Sequence, residues 1–305
     1  MSVTTTTALS PHTLKTGKEV RLFARNRPCP NTSGLAPTYL QANLLILPSK
    51  YASDFRLLCA RNPVPCPLIA ESSSPGAWDS VQSHLPGLEG AAVVTDVDIR
   101  NDAPRYNVYS DSKLVKTGCP NIVDDWTDDH VAFLIGCSFS FEASLAAAGL
   151  PPLHTMLGRN VPMYRTTVPL CPAGVFIDSY FVVSMRAYRA RDIVRVRDVT
   201  RAFSATHGEP IAWGWDAVTA LGIADIDHPE WGDAPVITAD GAPLGGGRGR
   251  FPADDDEDDG LVPVFWGCGV TPQEAVMRAN LEGVVMAHSP GYMLLLDCRD
   301  SQIVV

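Results

Sequence analysis

The stretch VPVFWGCGVTPQEAVMRA, residues 262–279, places the tightest constraint on what this chain can become. Val262, Val264, Phe265 and Trp266 are β-branched or aromatic and suit a buried strand. Thr271-Pro272-Gln273-Glu274 then spells a helix start, with Thr271 as N-cap, Pro272 at the first helical position and Glu274 closing a capping box. Between them lies Gly267-Cys268-Gly269-Val270, a loop whose glycines let the backbone approach another group. Strand, glycine loop and helix N-terminus together are where an α/β protein commonly holds an anion. A tight connection with no ligand is the plainer alternative. The expectation is an interior strand of the larger domain's sheet, followed by a helix capped by Thr271. On that reading Gly269→Val blocks a ligand's approach at little cost in stability.

Size and charge set the outer bounds. A chain of 305 residues with 46% hydrophobic content can bury a large core, and its length suggests about two domains. The formal charge of −10 is concentrated in DDDEDD at 254–259. Beside GGGRGRFPA this run reads as a solvated insertion, so residues 245–259 are expected to be mobile and dispensable. Asp254, Asp256 and Asp258 imitate the start of a calcium loop, but Asp259 and Phe265 stand where glycine and glutamate are needed. No basic stripe argues for nucleic acid, and no apolar stretch approaches the roughly 18 residues of a membrane helix. Eight cysteines without a CxxC pair read as reduced thiols and favour the cytoplasm. The Ser/Thr-rich, basic start keeps the mitochondrial matrix as the alternative. Residues 1–15 read as a disordered leader before a capped helix over 16–26.

Along the chain, helices and strands alternate without repeats, which indicates an α/β protein. YLQANLLILPSKYASDFRLLCARNP reads as helix, short apolar stretch and helix. LIAES and AAVVTDVDI read as strands, and RYNVYSDSKLVK as a hairpin turning at Asp111-Ser112. DDHVAFLIGCSFSFEASLAAAGL looks helical with a break at 136–138. GVFIDSYFVVSMRAY gives one or two strands, and RARDIVRVRDVTRAFSATHG a strand followed by a helix. VVMAHSPGYMLLLD ends on a strand.

Familiar catalytic signatures do not fit. Gly267-x-Gly269 lacks the third glycine of a dinucleotide fingerprint, and Gly136-Cys137-Ser138-Phe139-Ser140 lacks the second glycine of a nucleophile elbow. What remains is a set of unusual strings: LIGCSFSFE, NVPMYRTTVP, VVSMR, HGEPIAWG, FWGCGVTPQ and AHSPGYM. With TSGLAPTYLQANLLILPSKYASDF, NPVPCPLI and DVDIRNDAPRYNVY before them, they run through nearly the whole chain in the order found in the D-glutamate cyclase family, which the chain resembles. The resemblance implies a hydro-lyase closing D-glutamate to 5-oxo-D-proline with loss of water, without cofactor or metal. It also implies a mixed-sheet larger α/β domain carrying a smaller inserted α+β domain; the Pro- and Gly-bearing stretches at either end put the insertion at about 159–240, leaving 16–158 plus 241–305 to the larger domain. The sequence departs from the family at Ala212-Trp213-Gly214-Trp215-Asp216, at Leu261 and at Tyr292, where the family usually has a histidine-bearing segment, an acid and a histidine.

Such a ring closure needs a base for the amine, donors for the carboxylates and an acid for the departing oxygen. Arg165 and Arg186 are candidates to hold a carboxylate, unless an internal acid takes them. Gly267, Gly269, Thr271 and Gln273 would supply the anion-binding turn. His207 and His288 are the acid/base candidates, weighed against a helix-terminal and a loop-bonding histidine. Glu142 is either catalytic or paired with a core arginine. Cys137 and Cys268 each follow glycine, and a thiol pair across a pocket would suit a racemase or epimerase, whereas two small packing residues would not react. Asp96, Asp98 and Asp102 could gather a cation but read better as solvated. The partner is a small-molecule carboxylate, with a homo-oligomer left open. A lapsed enzyme that only binds a small acid is the third reading, and it turns on whether the departures enter the pocket.

Overall fold

The computed structural model describes residues 13–246 and 260–304. Its architecture is mixed α/β, with a large antiparallel sheet and a second, smaller one. The chain opens with helix α1 (Gly17–Asn26), closed by a capping box between Thr16 and Glu19. Strand β1 (Tyr39–Pro48), α2 (Ala52–Arg61), β2 (Leu68–Ser72), β3 (Val81–Ser83) and the short α3 (Gly90–Val93) follow. The hairpin of β4 (Tyr106–Ser110) and β5 (Lys113–Cys119) turns at Asp111 and Ser112, both at positive φ as a two-residue hairpin turn requires. Next come β6 (His130–Gly136), α4 (Glu142–Ala147), α5 (Leu153–Met156), β7 (Met163–Pro169) and β8 (Tyr180–Arg189). Then come α6 (Ile193–Arg201), β9 (Ala212–Trp213), α7 (Trp215–Ala220), β10 (Leu261–Gly267), α8 (Val270–Arg278), β11 (Val284–His288) and β12 (Leu294–Arg299).

The large sheet runs β3-β2-β6-β1-β11-β4-β5, with β12 also paired to β1. β1 and β6 lie side by side over the register Ala42↔Gly136 to Pro48↔His130. Both are covered on two faces. Leu44 and Ile46 enter the central core with Leu134, while Leu45 and Leu47 enter a second core with Phe133 and Ile135 under α2. Burial on both faces erases the alternation that marks a strand, which is why these two segments look helical in the sequence. Two other expectations change for local reasons. Gly90 starts a helical turn where AAVVTDVDI suggests a strand, and β8 runs on to Arg189 so that the following segment is α6 alone.

The small sheet runs β7-β8-β10-β9. β10 is an interior strand, as its composition suggests, but of this sheet and not of the larger one. It pairs with β8 from Leu261↔Arg189 to Gly267↔Val183 and with β9 at Val264 and Phe265. Val264 and Trp266 reach across into the central core while Phe265 enters the small sheet's own core. An apolar pattern on both faces reports burial and is silent about which sheet supplies the neighbours. Of the acidic segment, residues 247–259 lie outside the described residues, and so do residues 1–12 of the leader. Gly245 donates its N–H to Asp227 Oδ1 at 2.8 Å, and Leu14 is buried against α1.

Candidate functional site

The ends of β6 and β10 define the site. Each strand finishes on glycine, each glycine is followed by cysteine, and each cysteine leads into a helical turn. Cys137 and Cys268 line one cleft together with Asn43 of β1, Ser138, Asn160, Gly269, Val270 and His288. Phe139, Val161, Met163 and Met293 supply its apolar wall. The sequence brought the two cysteines, Gly269 and His288 into view as separate candidates, and the fold brings them together. It does not bring Arg165, His207 or Thr271 to the lining.

Both thiols are kept neutral. Burial pushes Cys137 up to about 12, and the neighbouring Cys268 adds to the shift. Burial likewise pushes Cys268 up to about 11. The Phe139 N–H acts in the opposite direction on Cys137, the Val270 N–H does so on Cys268, and the Arg186 charge draws both down. At neutral pH these groups are S–H donors held where an approaching charge would tip them toward thiolate.

His288 is buried, and burial lowers its pKa to about 4. Its Nδ1 lies 3.1 Å from the Leu44 backbone N–H, 2.9 Å from Gln273 Nε2 and 3.2 Å from the Leu44 carbonyl oxygen. With two donors and one acceptor around Nδ1, we assign the lone pair to Nδ1 and the proton to Nε2, which has no hydrogen-bond partner among the described residues. The imidazole is therefore a neutral donor in the cleft wall, not a base. His207 is also lowered to about 4 by burial, but its Nδ1 donates to Val64 O at 2.8 Å, behind Gly136. It supports the β6 turn from the back.

Arg186 finds its carboxylate inside the protein. Its Nε lies 3.0 Å from Glu142 Oε1, Nη2 donates to Ser138 Oγ at 3.0 Å, and Nη1 to Ser184 Oγ at 3.2 Å. The guanidinium lies beside the packed Phe141 and Trp266 rings, 5.1 and 5.3 Å from their centroids. Burial works against the Glu142 charge, yet Arg186 and His154 outweigh it and hold the carboxyl below its ordinary value. Ser138 thus links a buried charge network to the cleft. Arg165 lies further out, bound to Glu274 at 2.9 Å and stacked on Trp231.

Thr271 does not cap the helix. Gly269 occupies the N-cap position with no side-chain cap, and the Thr271 hydroxyl accepts Val182 N–H at 2.9 Å while donating to Val182 O at 3.0 Å. Glu274 serves Arg165 and Arg278 instead of a capping box. The glycines also have packing reasons. A Cβ on Gly269 would sit 1.9 Å from Asn43 Nδ2, and one on Gly267 would sit 3.0 Å from Val64 O. Asn43 is itself held by Gly136 O at 3.1 Å. Gly269→Val therefore collides with a fixed neighbour, and the expectation of little stability cost is withdrawn.

Asn43, Ser138 and Asn160 are the lining residues that sequence reasoning passed over. A polar Asn43 within the apolar run LQANLLIL was the available signal. Of the family departures, Trp213 is half-exposed under Arg197, Leu261 is buried in the small sheet's core, and none of Trp213, Trp215, Leu261 and Tyr292 lines the cleft. Asp96, Asp98 and Asp102 are each paired with a cation: Lys18, Arg100 and Arg25.

The sequence profile of the D-glutamate cyclase family matches residues 131–297, which include every cleft residue except Asn43. The chain belongs to this family. A Schizosaccharomyces pombe protein named "putative hydro-lyase" is 41% identical over 280 residues, covering 92% of this chain and 83% of its own. A protein of the same description from Bordetella petrii is 44% identical over 298 residues, covering 96% of this chain and 99% of its own. A third, from Verminephrobacter eiseniae, is 44% identical over 271 residues, covering 88% and 84%. Among the described residues no helix is long and apolar enough to cross a membrane.

Proposed function

We propose that this cyclase-family protein is a hydro-lyase and that the cleft closes D-glutamate to 5-oxo-D-proline. The observation that carries the reading is the convergence of neutral proton donors, Cys137, Cys268 and His288, on one pocket at the head of α8. In the reaction a bond forms between the α-nitrogen and the carbon of the γ-carboxylate, one carbon–oxygen bond of that carboxylate breaks, and two protons of the α-ammonium leave with that oxygen as water. Thiols that stay protonated suit a relay in which S–H protonates the departing oxygen as the sulfur takes the proton from nitrogen. His288 Nε2–H would polarise the γ-carboxyl, and the first N–H groups of α8 with Asn43 would hold the other carboxylate. Arg186 acts through Ser138 and the thiols it draws down, while Arg165 has no part.

The test is incubation of the pure protein with D- and L-glutamate and both enantiomers of 5-oxoproline in deuterated water, read by chiral chromatography and mass. Loss of water without deuterium at the α-carbon is the expected result. The facing thiols favour a second reading, a two-thiol racemase or epimerase of a similar acid. That reaction would place deuterium at the α-carbon and interconvert enantiomers without ring closure. Neither change in any of the four compounds would sink both readings.

A further inference from the structure

A second cavity lies on the other side of Arg186, lined by His154, Arg159, Asn160, Arg186 and Asp233 among apolar side chains. It shares only Asn160 with the cleft, and the Arg186–Ser138 hydrogen bond stands between the two. Two of the few buried polar atoms without a partner among the described residues belong to its wall: His154 Nδ1 and Arg159 Nε. An unpaired buried polar atom is costly, so two in one cavity mark a place built to be filled.

Their needs are opposite. His154 Nε2 lies 3.2 Å from Glu142 Oε1, a carboxylate that only accepts, so Nε2 carries a proton and, in the neutral ring, Nδ1 presents a lone pair. Arg159 Nε presents an N–H. A carboxylate alone would satisfy the arginine and an amine alone the histidine. Asp233, exposed and held by the Asn160 N–H at 2.7 Å, adds a negative group to the same lining. Leu153, Met185 and Leu244 make the apolar part of the wall, against which a short aliphatic side chain would pack.

We infer that this cavity is a second ligand site, binding a small α-amino acid as its zwitterion, carboxylate to Arg159 and ammonium to His154 and Asp233. The inference does not depend on the reaction assigned to the cleft. The experiment is calorimetric titration of the full chain with L- and D-alanine, with acetate and ethylamine as single-function probes. One alanine enantiomer should bind at least about tenfold more tightly than either single-function probe. Arg159→Gln should weaken alanine about tenfold or more, and Asp233→Asn should remove its advantage over acetate. Arg159 is half-exposed and its Nε makes no bond, so the variant should fold, as a thermal melt would verify. Cys268→Ala, in the cleft, should leave alanine affinity unchanged. Three results would overturn the inference: no alanine binding at tens of millimolar, which would mean that water serves both nitrogens; undiminished binding in Arg159→Gln; or loss of binding in Cys268→Ala.

Discussion

The turns that end β6 and β10 open on the same Gly-Cys pair, in Gly136-Cys137-Ser138-Phe139 and Gly267-Cys268-Gly269-Val270, in two different sheets. Their third positions differ, and the difference follows from what each turn leans on. Ser138 has room for its Cβ, and its hydroxyl receives Arg186, which ties the β6 turn to a buried charge network. Gly269 has no such room because Asn43 occupies the space. The β10 turn instead opens the nine-residue α8, whereas the β6 turn leads into one 3₁₀ turn and a six-residue helix. One thiol is thus conditioned by a guanidinium network and the other by a helix head. The lesson is that a repeated local string sets a sulfur at a strand end in each sheet, while the surrounding elements decide its chemistry.

The harshest way to break this comparison is to exchange the third positions. Gly269→Val should cost about 3 kcal/mol or more, or prevent folding, because the new side chain meets a fixed amide. Ser138→Ala should cost only about 1 kcal/mol, since Arg186 keeps Glu142. Equal losses in urea unfolding would show that the two turns are not packed differently. Turnover should then rank the sulfurs. Cys268→Ala should lower kcat about a hundredfold and more than Cys137→Ala, because its thiol is less elevated and heads the longer helix. If both substitutions abolish turnover alike, the symmetric two-thiol reaction gains ground.

Acid gives a third contrast. Each turn is backed by a buried neutral imidazole, His207 behind Gly136 and His288 against Gln273 of α8. Their folded-state values of about 4 lie below the ordinary 6.5. The unfolded chain therefore binds protons first as pH falls. The stability due to the neutral rings is complete above 6.5, declines below it and is gone once pH passes 4. Each histidine should steepen the pH dependence by at most about 1.4 kcal/mol per pH unit within that window. His207→Asn or His288→Asn should flatten the curve measured by urea unfolding from pH 7 to 4. An unchanged slope would place the rings in wetter surroundings. The smallest effect is expected at Arg165→Gln, which removes a partly exposed pair with Glu274 and should cost about 0.2–1 kcal/mol with no change in turnover.

Much of the β10 turn was legible in the sequence, because β-branched and aromatic residues, paired glycines and a Thr-Pro helix start all agree locally. The β6 turn was not. The apolar run from Val131 to Ile135 satisfies helical and buried-strand patterns equally, and only the neighbours β1 and β2 decide between them. Cys137, Cys268 and His288 were visible as residue types, but their meeting depends on three strands from two sheets. Asn43 and Asn160 were hidden because a lone amide has no spacing to announce it. Arg186 illustrates the opposite error. Its burial correctly demanded a carboxylate, and no sequence pattern told whether Glu142 or a ligand would provide it.

Thr271 carries one further consequence. By taking both the N–H and the carbonyl of Val182, its hydroxyl makes the first turn of α8 an extra rung of the small sheet. The helix head cannot shift without unzipping that rung. The backbone ordering that a loose turn would undergo on meeting its ligand, about 1–2 kcal/mol per residue in entropy, has here already been met during folding. Association at the cleft is accordingly expected to proceed with a small entropic penalty from backbone ordering.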